Sequence, residues 1–94
     1  MDIQIAYKKT KDATDAFGKI KHLLTEEYFE RFKVKGKIKA DAKKKIILVT
    51  GTGFTFTLTF LEKEVQGTLE LSLLLRALKK AILPVVEKNL KDLL

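Results

Sequence analysis

The chain has 94 residues, 46% hydrophobic and 33% charged, with no Cys, no Trp and one Pro. That length suits one domain over residues 1–94, and the apolar content excludes a disordered chain. Without Cys there is no disulfide framework, thiol nucleophile or thiolate metal site. No apolar run is long enough for a transmembrane segment, and the charged first 25 residues do not suit a signal peptide, so a cytoplasmic protein is expected. Lys and Arg number 19 against 12 Asp and Glu, a net charge of +7, and Arg31 to Lys45 alone carries eight basic side chains and one acid, Asp41.

Ile3-Gln4-Ile5-Ala6-Tyr7 alternates and predicts a short strand. Thr10 or Asp12 then offers a helix N-cap, with Asp12 and Asp15 where the helix dipole favours negative charge. Ala13, Ala16, Phe17, Ile20, Leu23 and Leu24 follow at three- and four-residue spacing, giving a helix with one apolar face. Thr25-Glu26-Glu27-Tyr28 repeats a capping pattern and predicts a break followed by a turn of helix through Phe29.

From Phe32 the period changes from 3.6 to 2. Phe32, Val34, Gly36, Ile38 and Ala40 alternate with Lys33, Lys35, Lys37 and Lys39, so this strand presents lysines on one face. Asp41-Ala42-Lys43 predicts a turn, and Lys45 to Val49 a strand apolar on both faces. Gly51-Thr52-Gly53 turns the chain again. Phe54, Phe56, Leu58 and Phe60 then point one way, and Thr55, Thr57 and Thr59 the other. Glu62-Lys63-Glu64 connects to a strand with Val65, Gly67, Leu69 and Leu71 inward. Ser72 is the expected N-cap of a final helix, Leu73 to Leu94. Pro84 inside it predicts either a kink near Ala81–Leu83 or two shorter helices.

The expected order is β-α-β-β-β-β-α. This predicts an α+β two-layer sandwich: an antiparallel sheet of about five strands, covered on one face by two helices, the long C-terminal helix central.

Two surfaces are candidates for function. The first is an anion patch of Lys33, Lys35, Lys37, Lys39, Lys43, Lys44 and Lys45. Edge protection by lysine explains the same pattern. Nucleic acid is the weaker partner, because only two Arg are present and the Phe residues alternate toward the core. The second is apolar: Leu73, Leu74, Leu75, Ala77 and Leu78 span most of the circumference of the last helix's first turns. Either the sheet curls around them, or Leu73, Leu74, Leu75 and Leu78 meet a partner subunit or a hydrophobic polymer or lipid-like surface.

Catalysis has little support. His22, the single histidine, has only Thr25 and Glu26 as chemically useful helix neighbours. The pairs Glu26/Glu27 and Glu62/Glu64 fit a cap and a hairpin. Gly51-Thr52-Gly53 opens a strand and is not a phosphate loop. No catalytic, cofactor-binding or metal-binding residue is assigned, and a non-enzymatic role is expected.

The segment Leu69-Glu70-Leu71-Ser72-Leu73-Leu74-Leu75-Arg76-Ala77-Leu78-Lys79, with Ile82 and Glu87-Lys88-Asn89-Leu90-Lys91-Asp92-Leu93-Leu94, resembles the polyhydroxyalkanoic acid system proteins. These are small bacterial domains ending in a strand, a Leu-Leu pair and a similar basic-aliphatic finish. The Gly51-x-Gly53 turn is also similar, whereas the Lys-rich strand, Thr25–Arg31 and Pro84 depart from the pattern. The resemblance implies an accessory role in polyhydroxyalkanoate metabolism or at granule surfaces, and carries over no catalytic residue. The architecture further resembles helix-grip folds, in which a curved sheet wraps a long C-terminal helix around a hydrophobic cavity. In so short a chain that cavity is expected to be small or filled by Phe54, Phe56 and Phe60.

Overall fold

The row Phe54, Phe56, Leu58, Phe60 cannot face water, and its burial organises the molecule. In the computed structural model, which describes residues 2–31 and 35–94, the chain forms β1 (Ile3–Ala6), α1 (Ala13–Leu23), α2 (Glu26–Glu30), β2 (Gly36–Asp41), β3 (Ile46–Gly51), β4 (Phe54–Phe60), β5 (Glu64–Leu71), a 3₁₀ turn (Leu73–Leu75) and α3 (Arg76–Leu93). The strands make one antiparallel sheet in the order β1-β5-β4-β3-β2. The three hairpins place consecutive strands side by side, and β1 closes the far edge against β5.

Register aligns the inward positions into layers. Val49, Phe56 and Leu69 form one row, and Ile47, Leu58, Gly67 and Ile3 form the next. Because side chains alternate along each strand, all these residues share one face. That face and the helices build a single core with Ala16, Phe17, Ile20, Leu24, Tyr28, Phe29, Val86, Leu90 and Leu94. Phe17 meets Phe60 edge-to-face, with centroids 5.7 Å apart. On the other face Thr55, Thr57 and Thr59 alternate with them and are half-buried.

The helix starts follow their capping chemistry. Asp12 accepts from the Asp15 N–H at 2.9 Å, and Thr25 Oγ1 accepts from the Tyr28 N–H at 3.2 Å. The end of the chain is corrected in detail. Ser72 precedes a 3₁₀ turn, makes no side-chain capping bond, and instead donates its own N–H to the Gly53 carbonyl at 2.8 Å. The α-helix proper begins at Arg76 and runs unbroken through Pro84. Pro84 and Lys80 are both exposed, so the Lys80 carbonyl that loses its helical donor can be met by water.

The first hairpin, between β2 and β3, also differs from expectation. β3 begins at Ile46, and Lys45 belongs to the turn, with φ 55°. Phe32, Lys33 and Val34 lie outside the described residues, and the described part of their strand starts at Gly36.

Candidate apolar site

The last helix is buried at one end only. Val86, Leu90 and Leu94 are buried, whereas no residue from Ser72 to Val85 is. At the anchored end Asn89 Nδ2 donates to Tyr28 Oη at 2.7 Å, joining α3 to α2. The Leu94 main-chain oxygen accepts from the N–H groups of Lys8 and Lys9, tying the end of α3 to the β1–α1 connection. At the other end α3 is held by Lys79 to Asp2 at 2.8 Å and by the Ser72–Gly53 bond. Asp2 also accepts from the Leu69 N–H at 2.8 Å. The Lys79 hydrogen bond, then that of Leu69, holds the Asp2 carboxyl below its usual range.

Under the less anchored half lies an apolar cleft. Its walls are Phe54, Phe56, Leu69 and Leu71 from the sheet, Phe29 from α2, and Leu75, Leu78, Ile82, Leu83 and Val86 from the last helical segment. The cleft is small, with an internal volume of ≈ 40 Å³. The expectation of a small hydrophobic cavity between sheet and final helix therefore holds for the described residues. Phe54 and Phe56 line it, while Phe60 is absorbed by Phe17.

The glycine turn shapes one end of this cleft. Gly53 has φ 81°, a left-handed conformation that disfavours other residues, and Leu75 packs directly over it. A Cβ on Gly51 would collide with the Phe54 ring and the Lys35 carbonyl, so this glycine lets Phe54 lie across the end of β3.

The four predicted contact leucines separate into two roles. Leu73 and Leu74 are 79% and 94% exposed, and they are not among the cleft-lining side chains. Leu75 is half-buried in the wall, and Leu78, 40% exposed, belongs to both the wall and the surface. The sheet does not curl far enough to cover Leu73 and Leu74. Val85, 46% exposed, was not singled out by the sequence reading. Its signal was legible: Leu78, Ala81 and Val85 recur at spacings of three and four, which aligns them along one face of α3. Phe29, Ile82, Leu83 and Val86 also join the site only through the fold.

The lysine patch is partly reassembled. β2 is an edge strand, with Lys37 and Lys39 exposed along it and Lys35 exposed just before it. Lys43 and Lys44 are exposed in the turn, their N–H groups bonded to the Asp41 carboxylate. Lys45 does not belong with them. Its ammonium lies 6.0 Å from the Phe17 ring centroid, on the helix side of the sheet, and donates to the Ala42 carbonyl. The left-handed turn conformation at this residue breaks the strand alternation that the sequence suggested. Lys33 lies outside the described residues.

His22 is exposed on α1. Among the described residues no group of three or more His, Asp or Glu side chains is arranged to hold a metal ion. No described helix is long and apolar enough to cross a membrane. The chain matches no family model, no curated protein and no solved structure.

Proposed function

We propose that this protein is a non-enzymatic, cytoplasmic accessory domain that adheres to a hydrophobic polymer surface, such as a polyhydroxyalkanoate granule, through the exposed apolar flank of its last helical segment. The observation that carries this reading is Leu74, 94% exposed beside Leu73 at 79%, with Leu78 and Val85 of α3 exposed as well. Exposed large apolar side chains that are neighbours in the chain mark contact sites more often than singly scattered ones. The resemblance of the tail to the polyhydroxyalkanoic acid system proteins supports a polyester as the surface. The uncovered leucines sit on a chain whose core is otherwise complete, so losing them does not threaten folding.

The test is co-sedimentation of purified protein with polyester particles. Leu74→Asp should keep the native far-ultraviolet circular dichroism and reduce bound protein at least tenfold. Unchanged adsorption by the folded variant would refute this contact. Sedimentation velocity at several concentrations separates the alternative occupant, a second copy of the chain: a dimer that Leu74→Asp dissociates would replace the polymer reading.

A second reading rests on Lys35, Lys37, Lys39, Lys43 and Lys44, none of which takes part in a salt bridge among the described residues. This unpaired edge supports binding of an anionic surface. If Lys35, Lys37 and Lys39 each neutralised one DNA phosphate, log affinity would fall with log salt at a slope of about −2.7. No binding at low salt removes this reading.

A further inference from the structure

We propose that the cleft beneath the N-terminal half of α3 is a binding site for the end of an unbranched alkyl chain. The proposal rests on the polymer-contact reading for its setting, because the cleft opens beside the same leucines, but it concerns a distinct set of side chains.

The chemistry of the occupant follows from the walls. All the lining side chains are hydrocarbon: Phe29, Phe54 and Phe56 on one side, Leu78, Ile82 and Leu83 on the other, with the rest aliphatic. A cavity of ≈ 40 Å³ exceeds the ~10–15 Å³ that one water requires, yet no lining side chain offers a water a hydrogen-bond partner. The space therefore favours carbon over water. Its size then selects the shape. An apolar cavity that accepts benzene measures about 150 Å³, so a ring is too large for the inner space while a linear chain enters end-on. Leu78 links the cleft to the surface, because it lines the wall and is 40% exposed. A chain lying on exposed Leu78 can thus pass inward without leaving apolar contact. With no polar wall group inside, any head group stays in water.

The position within the fold supports the same occupant. The buried residues of α3, Val86 and Leu90, both lie in its C-terminal half, so the cleft lies under the half of the helix with the least packing to lose. The two polar ties of that half, Lys79 to Asp2 and Ser72 to Gly53, fix the helix without entering the cleft.

The experiment titrates the full chain, carrying ¹³C-labelled methyl groups, with 1-butanol, 1-hexanol and 1-octanol, and in parallel with cyclohexanol and benzyl alcohol. The expected result is saturable shifts at the methyls of Leu69, Leu71, Ile82, Leu83 and Val86. Affinity should rise roughly fourfold per methylene up to the length that fills the inner cavity. The cyclic alcohols should bind at least tenfold more weakly than 1-hexanol. Ile82→Phe, and separately Leu83→Phe, should abolish saturable binding in whichever variant keeps the native dichroism. An octanoate arm and an arm with neutral phosphatidylcholine vesicles separate a free amphiphile from a membrane-borne chain: octanoate shifts alone assign the former, vesicle-induced shifts alone the latter. Equal binding of cyclic and linear alcohols overturns the proposal, as do shifts confined to Leu73 and Leu74, or no saturable shift at all. Failure here with particle adsorption intact removes only the chain site. Loss of particle adsorption as a wild-type property, with alkanol binding intact, removes only the polymer reading.

Discussion

Replacing Leu90 and Leu74 separately with alanine measures the unequal anchoring of α3. Leu90 is fully buried on the face that meets the core, and Leu74 is 94% exposed in the 3₁₀ turn. Leu90→Ala deletes about three carbons, worth ~2.4 kcal/mol at ~0.8 kcal/mol per buried methylene. A retained void of ~50 Å³ adds ~1.2 kcal/mol, giving about 3.5 kcal/mol in all. For a chain of this size that lowers Tm by roughly 14–28 °C. Leu74→Ala should change stability by less than ~0.5 kcal/mol, because almost none of its surface leaves water on folding. Thermal melts followed by far-ultraviolet circular dichroism, with urea titrations as a second measure, read both values. A cost above ~1.5 kcal/mol for Leu74→Ala, or below ~1 kcal/mol for Leu90→Ala, would refute this account of the helix. Either result would also remove the ground for treating Leu74 as free contact surface.

Three further expectations test other parts of the fold. Gly51→Ala should cost ~1–3 kcal/mol, because its Cβ would force the Phe54 ring or the Lys35 carbonyl to move; an unchanged melt contradicts the crowding described for the turn. The single Tyr7 hydroxyl proton is shared between the Leu61 and Glu64 carbonyls, and burial, then the Glu64 charge, pushes its pKa to about 12. Ionisation is thus harder in the folded state than at the ordinary value near 10, so this contribution is complete below pH ~10 and is lost as pH rises toward 12. Tyr7→Phe should flatten that alkaline loss in denaturant titrations, apart from a share from Tyr28, whose pKa burial also raises; an identical alkaline profile contradicts the assignment. Asp2 behaves oppositely. Its lowered pKa means that the Lys79 and Leu69 contacts stabilise the fold above pH ~4 and fade as pH falls through the folded value. Because the pair is near the surface the effect should stay under ~1 kcal/mol, and Asp2→Asn should remove it; acid unfolding that is the same in the variant shows that the pair contributes nothing.

The fold was legible wherever the determinant was local. Alternation in Phe54 to Phe60 set which side chains face the core, and the short connections made consecutive strands pair. The spacing of Ala16, Phe17 and Ile20 gave α1 its buried face. Thr25 announced its cap, and the lysine alternation placed Lys37 and Lys39 on one strand face. Locality also explains the errors. Lys45 followed the pattern of a strand residue, but a left-handed turn conformation aims it at Phe17. Leu73 to Leu75 read as a first helical turn, yet the Ser72 bond to Gly53 and the packing of Leu75 on Gly53 accompany a 3₁₀ geometry there.

The candidate site divides in the same way. The sequence by itself determined that the last helix carries more apolar side chains than one sheet can cover. Only the tertiary structure decided that Leu73 and Leu74 are the ones left outside, and that Leu75 and Leu78 line a cavity with Phe29 and Phe54. A cavity is a difference in volume between elements distant in the chain. Its walls come from α2, β4, β5 and the final helix, and the space between them depends on how Val86, Leu90 and Leu94 seat α3 at its far end. Periodicity states which face of a helix is apolar. How closely that face approaches its neighbour is set by the packing of all the others.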